Sequence, residues 1–215
     1  MFLKIKKIPK VNWSSKKPYN FKPRFSTFFF LCFGLTLFGL GEGLLIVSFI
    51  GASPWSVLAQ GISLNVNLTI GTITLLISIA VLILWIPLGL KPGMGTIFNA
   101  LIIALMIDLC IKFVPTPSNY IHQIFLAIIS VITVGIGGGI YLVSNLGAGP
   151  RDGLMIGLQK ISNLPIAVVR GTLEISVVSV GWYLGGTVGL GTLLFAFGIG
   201  PCVALGLYLV DKIFD

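Results

Sequence analysis

The sequence predicts an all-α membrane protein: six transmembrane helices in two inverted three-helix repeats, each with a short re-entrant or interfacial segment. Three observations predict it. Of the 215 residues, 56% are hydrophobic and 9% charged, with a mean hydropathy of +1.05, too little polar matter to clothe a soluble domain. The chain also repeats itself: Gly51-Ala52-Ser53-Pro54-Trp55-Ser56-Val57-Leu58 returns 96 positions later as Gly147-Ala148-Gly149-Pro150-Arg151-Asp152-Gly153-Leu154. Finally, thirteen of the fourteen Lys and Arg residues fall on one side of the predicted membrane.

The apolar runs at 28–50, 70–88, 96–114, 123–144, 165–185 and 191–210 each approach the ~20 residues that cross a bilayer as a helix. Helices are expected because lipid offers no partner to backbone N–H and C=O groups, and the alternating pattern of a membrane β-barrel is absent. The ungapped offset maps Gly39, Gly41 and Gly43 onto Gly135, Gly137 and Gly139, and Gly93-x-Gly95-Thr96 onto Gly189-x-Gly191-Thr192. Residues 25–114 and 121–210 are therefore two copies of one unit within a single membrane domain, 25–215.

Residues 1–24 hold eight of the fourteen basic residues (Lys4, Lys6, Lys7, Lys10, Lys16, Lys17, Lys22 and Arg24) and no acid. The apolar run behind them is too long for a signal peptide and lacks a small-residue cleavage site. The segment reads as a retained cytoplasmic tail, held to anionic lipid headgroups at about 1 kcal/mol per basic residue near the surface. It carries no nucleic-acid recognition motif, and no nucleic-acid partner is expected.

With the tail inside and three crossings per unit, Lys91, Arg151, Lys160, Arg170 and Lys212 join it on the cytoplasmic side, and only Lys112 lies outside. Both termini are then cytoplasmic. An odd number of crossings inserts the two copies in opposite directions. Counting 54–64 and 150–161 as full spans would give eight helices and parallel repeats, but about a dozen residues suit a re-entrant or interfacial segment better. The breaks at Pro54, Gly149 and Pro150 free backbone groups that must face protein or water, which points to an internal cavity; a plain turn at headgroup level is the equal alternative. Paired glycines such as Gly39/Gly43 and Gly135/Gly139 have the small-xxx-small spacing of close helix packing. Cys32, Cys110 and Cys202 sit in apolar spans at unrelated spacings and read as small hydrophobes.

Charge inside a membrane is costly, so Glu42, Asp108, Arg170 and Glu174 are the candidate substrate- or ion-binding residues, with Arg170 as counter-ion to Glu174 at i, i+4. A fixed structural set is the competing reading. The copies share glycines and prolines but none of these charges: Glu42 aligns with Gly138, Asp108 with Ala204, Arg170 with Thr74, and Glu174 with Ser78. Trp55-Ser56 aligns with Arg151-Asp152, placed at the cytoplasmic mouth, where Asp152 is expected to cap the helix that follows. His122 reads as an interfacial anchor. No GxSxG, HExxH, P-loop or Cys/His constellation is present, so neither catalysis, a cofactor nor a metal is expected.

LGAGPRDGL, VVRGTLE and GGTVGLGTLLFAFGIGP in the second half, with GASPWSVLAQG, WIPLG and PGMGTIFNALIIALMIDL in the first, resemble the YczE-like family of bacterial integral membrane proteins, and more loosely YitT-type proteins. The resemblance covers 25–210 and implies a bacterial cytoplasmic-membrane protein, without transferring a substrate or reaction. The expected function is a small transporter or exporter of an unspecified solute, with proton coupling through the buried carboxyls. The alternative is a non-transporting membrane factor that assists a partner complex through its tail. Oligomeric state is left open by the sequence.

Overall fold

The computed structural model describes residues 8–214, and every regular element among them is an α-helix. There are eight: α1 (Phe25–Val47), α2 (Pro54–Asn65), α3 (Ile70–Trp85), α4 (Met94–Phe113), α5 (Tyr120–Val143), α6 (Pro150–Ser162), α7 (Ile166–Tyr183) and α8 (Leu190–Phe214). The starts of α6, α7 and α8 lie 96 residues after those of α2, α3 and α4, so the repeat governs structure as well as sequence. The two short segments are regular helices of 12 and 13 residues, each opened by its proline at a position whose N–H would have no helical partner.

Five helices (α1, α4, α5, α7 and α8) are long and apolar enough to cross a membrane. A sixth crossing results if α2 and α3, whose axes bend by 115° at a short break, count as one span. Their outward faces carry exposed Leu, Ile and Phe side chains such as Leu105, Phe125 and Phe197, the surface that lipid solvates.

The two halves end their first helix by the same chemistry. Ser48 Oγ donates to the Leu45 carbonyl and Ser144 Oγ to the Tyr141 carbonyl, each at 2.6 Å. The chain then turns through Gly51 and Gly147, at φ +118° and +115°, a region that disfavours any side chain. These turns cross to the opposite half. The Ile50 carbonyl accepts from Gly191 N–H at 2.8 Å, and the Leu146 carbonyl from Gly95 N–H at 2.7 Å.

At the centre α1 packs along α5, with α4 beside α1 and α8 beside α5. Glycines make the approach close: Gly34 lies against Gly137 and Tyr141, and Gly41 against Ser130 and Val134. As numbering rises along α1 it falls along α5, so these repeat-related helices run antiparallel. By contrast, Gly39 meets Ile103 and Met106 while Gly43 meets Ile107 and Cys110, so α1 and α4 are parallel; Gly135 with Cys202 and Gly139 with Gly206 make α5 and α8 parallel too. The short helices are exchanged. α2 packs on α7, where Gly61 meets Gly181, and α6 packs on α3, where Gly153 meets the Trp85 ring.

The halves differ in one respect. α3 packs on α4, but α7 has no comparable packing on α8. A Cβ added at Gly171 of α7 or Gly200 of α8 would meet nothing within 4 Å.

Part of the tail folds against this body. Trp13 is buried, stacked on Phe30 with ring centroids 4.5 Å apart and edge-on to Phe214 at 5.8 Å. Thr27 Oγ1 donates to the Trp13 carbonyl at 2.5 Å, and Asn145 Nδ2 donates to the Ser15 carbonyl at 2.8 Å. Lys4, Lys6 and Lys7 lie outside the described residues.

Candidate functional site

The first turns of α2 and α6 converge beside the α1–α5 contact, and a cavity of about 270 Å³ opens between them, α7 and α8. Its polar lining consists of Glu42, Ser53, Tyr141, Arg151, Asp152 and the pair Arg170 and Glu174. Its apolar lining includes Phe38, Trp55, Leu142, Phe195, Ile199 and Val203.

Glu42 is 1% exposed. Burying a carboxylate demands donors, and the GASP turn supplies them: Ser53 Oγ and Ser56 Oγ lie 2.6 and 2.7 Å from Oε2. The arrangement depends on the turn, because Ser53 precedes Pro54 and Ser56 falls in the first turn of α2. Oε1 accepts no bond among the described residues. In the second half, Gly138 occupies the position of Glu42, and Asp152 that of Ser56. Asp152 makes no cap: no side chain bonds the first turn of α6, and its Oδ2 accepts from the Tyr141 hydroxyl at 2.7 Å. The buried Tyr141 phenol needs an acceptor, and the Asp152 carboxylate supplies it with a charge-assisted bond.

Arg151 lies over the Trp55 ring, its guanidinium carbon 5.3 Å from the centroid. Each half therefore contributes the same repeat position to one cation–π contact. Glu42 and Asp152 are the carboxylates acting on its charge, yet neither forms an ion pair with it within 4.0 Å, and its guanidinium donates no hydrogen bond among the described residues. Arg170 is differently placed, its Nε bonded to Glu174 Oε1 at 2.8 Å, with side chains 45% and 24% exposed.

A second cavity, of about 50 Å³, lies on the other side of Arg151 and Asp152. Thr74, Ser78, Asn99, Ile103 and Gly149 line it, and these are the repeat counterparts of Arg170, Glu174, Phe195, Ile199 and Ser53 in the larger one. The two cavities are thus repeat-related, one much larger than the other.

Of the sequence-predicted residues, the structure brings together Glu42, Arg170, Glu174, Pro54, Arg151 and Asp152 around the larger cavity, with Gly149 at the smaller one. Pro150 starts α6 beside them, its carbonyl accepting from Trp85 Nε1 at 3.0 Å. Asp108 lies elsewhere, fastening α3 to α4: its Oδ1 accepts from Gly71 N–H at 2.7 Å and its Oδ2 from Thr69 Oγ1 at 2.6 Å. Ser53, Ser56, Trp55 and Tyr141 were not anticipated as site residues. The 55–56/151–152 mismatch between copies pointed to Trp55 and Ser56; nothing in the sequence marked Ser53 or Tyr141. No three His, Cys, Asp or Glu side chains among the described residues converge as a metal would require.

A bundle of apolar helices around a buried, charge-lined cavity is that of a polytopic α-helical membrane protein. Residues 25–207 match the family of unknown function DUF6198, and the chain belongs to that family. It is 40% identical to an uncharacterized protein of Haemophilus influenzae over 98% of this chain and 95% of that one. It is 31% identical to the uncharacterized membrane protein YczE of Bacillus subtilis over 79% of each, in keeping with the resemblance read from the motifs. It is also 30% identical to YyaS of the same organism, over 75% of this chain and 82% of that one. No solved structure matches.

Proposed function

We propose that this protein is a small-solute transporter of the bacterial cytoplasmic membrane, built as two inverted repeats around a central site at Arg151 and Asp152. The observation that carries this reading is the repeat-related pair of cavities flanking those residues, about 270 Å³ on one side and 50 Å³ on the other. In an inverted repeat, letting the halves exchange conformations moves the larger cavity to the other side without a new fold. The antiparallel course of α1 and α5 supports the inversion, and α7, which lacks the packing on α8 that α3 has on α4, supplies the asymmetry. Glu42 is the candidate for proton coupling, and Arg170 with Glu174 stands at the cavity's entrance.

The test is flux in proteoliposomes under imposed solute and pH gradients, with internal pH and labelled amino acids, amines, organic acids and inorganic ions followed against empty vesicles. Transport above the empty-vesicle rate is expected, with Glu42→Gln reducing it at least tenfold while the protein remains folded. Flux that never exceeds the empty-vesicle rate overturns the reading. A second reading, a membrane factor that docks a partner or anionic headgroups through its tail, draws support from a basic hollow lined by Lys10, Lys16, Lys17, Lys22 and Arg24. If deleting residues 8–24 removes the cellular phenotype and leaves flux intact, that second reading is favoured.

A further inference from the structure

The larger cavity is lined by charged atoms of both signs that no protein group among the described residues bonds. Every other charged contact around it is closed: Ser53 and Ser56 hold Glu42 Oε2, Tyr141 holds Asp152 Oδ2, and Arg170 is paired with Glu174. Among the described residues this leaves the Arg151 guanidinium without a hydrogen bond, and Glu42 Oε1 and Asp152 Oδ1 without donors. More than 4.0 Å separates the cation from either carboxylate, so the protein does not neutralise these groups by direct contact. These three groups face the cavity instead of a protein partner, so whatever occupies it supplies their contacts.

The signs restrict what fills it. An anion on Arg151 would face two carboxylates, and a simple cation between the carboxylates would face Arg151; each gains one contact and suffers a repulsion. A ligand with both charges a few ångströms apart satisfies all three groups. The far wall is apolar, formed by Phe195, Ile199 and Val203. A volume of about 270 Å³ equals about nine waters and lies just under the ~300 Å³ at which drug-sized pockets begin.

We propose that the cavity binds a small zwitterion with an apolar substituent, the class of the free α-amino acids. The carboxylate lies on Arg151, the ammonium between Glu42 and Asp152, and the apolar group against Phe195, Ile199 and Val203. This deepens the transport reading, since it rests on the same site.

The experiment is equilibrium calorimetry on the full chain in lipid nanodiscs with two matched sets. One is L-leucine, 3-methylbutylamine and 4-methylpentanoate; the other is L-phenylalanine, 2-phenylethylamine and 3-phenylpropanoate. At least one amino acid is expected to bind, with its amine and its acid each about 10-fold or more weaker, the loss of one charged hydrogen-bonded contact. Arg151→Gln should bring the amino acid down to the affinity of its amine. If that variant does not fold, the six wild-type isotherms decide alone. An amine or acid binding as tightly as its amino acid overturns the proposal, as does no binding by any of the six. Binding without flux would overturn transport alone, while flux of another solute without amino-acid binding would overturn the zwitterion alone.

Discussion

At the scale of the residue, the site is a polar cluster from each half, the two joined by the contact of Arg151 with Trp55. Glu42 stays inside the bundle because two hydroxyls of the GASP turn meet one of its oxygens. Hydrogen bonds to charged groups are about twice as strong as neutral ones, and removing one strands part of a buried carboxylate. Ser56→Ala should therefore destabilise the protein by about 1–3 kcal/mol, read as a lower unfolding midpoint in detergent. In a Glu42→Gln background the same substitution should cost less, because the acceptor is then a neutral amide oxygen; equal costs would show that Ser56 does not serve the carboxylate. The sequence exposed Glu42, Arg170 and Glu174 because charge in an apolar run is conspicuous. It left Ser53 and Tyr141 unmarked, and Ser56 marked only as a mismatch between the copies, because serine and tyrosine are ordinary in membrane helices, and only the fold brings residues 42, 53 and 56 together. Asp108 shows the opposite failure: equally conspicuous, it serves a helix junction, since the exposed first turn of α3 offered it Gly71 N–H and Thr69 Oγ1.

At the scale of the element, the 96-residue offset relates the starts of α2, α3 and α4 to those of α6, α7 and α8, the short α2 and α6 each opening on a proline. Which helices exchange partners was not legible. That α2 lies on α7 and α6 on α3 depends on Gly61 with Gly181 and on Gly153 with Trp85, and side-chain volume across an interface leaves no periodic trace. The antiparallel α1 and α5 carry a consequence for orientation. If the bundle spans a bilayer as proposed, the loop joining α3 to α4 and the loop joining α7 to α8 are expected on opposite faces of it. In a chain whose native cysteines are replaced, Lys91→Cys is expected to react with a membrane-impermeant maleimide from one side only, and Val188→Cys, 43% exposed, from the other. Labelling of both from the same side sinks the inverted arrangement.

At the scale of the whole molecule, the departure from symmetry is the informative feature. The repeat-related residues Ser78 and Glu174 line the smaller and the larger cavity, and Ser78 is buried while Glu174 is half-buried. What distinguishes the halves chemically is Asp108, which fastens Thr69 and Gly71 of α3 to α4, whereas its counterpart Ala204 has no polar atom to hold α7. Two charge-assisted bonds of about 1.5–3 kcal/mol each are enough to bias two conformations that otherwise resemble one another. Removing them should let α3 leave α4. In the cysteine-replaced chain, Glu174→Cys is expected to label readily and Ser78→Cys hardly at all. Adding Asp108→Ala should raise Ser78→Cys labelling by about tenfold, the change expected for a shift of about 1.4 kcal/mol in a two-state balance. Glu174→Cys labelling should fall at the same time if the two cavities exchange states as the transport proposal requires. If Ser78→Cys stays protected in a folded Asp108→Ala protein, the fastening is only structural and the smaller cavity is a permanent part of the core. If both positions become reactive together, the bundle has loosened without exchanging its halves, and alternating access through these two cavities is excluded.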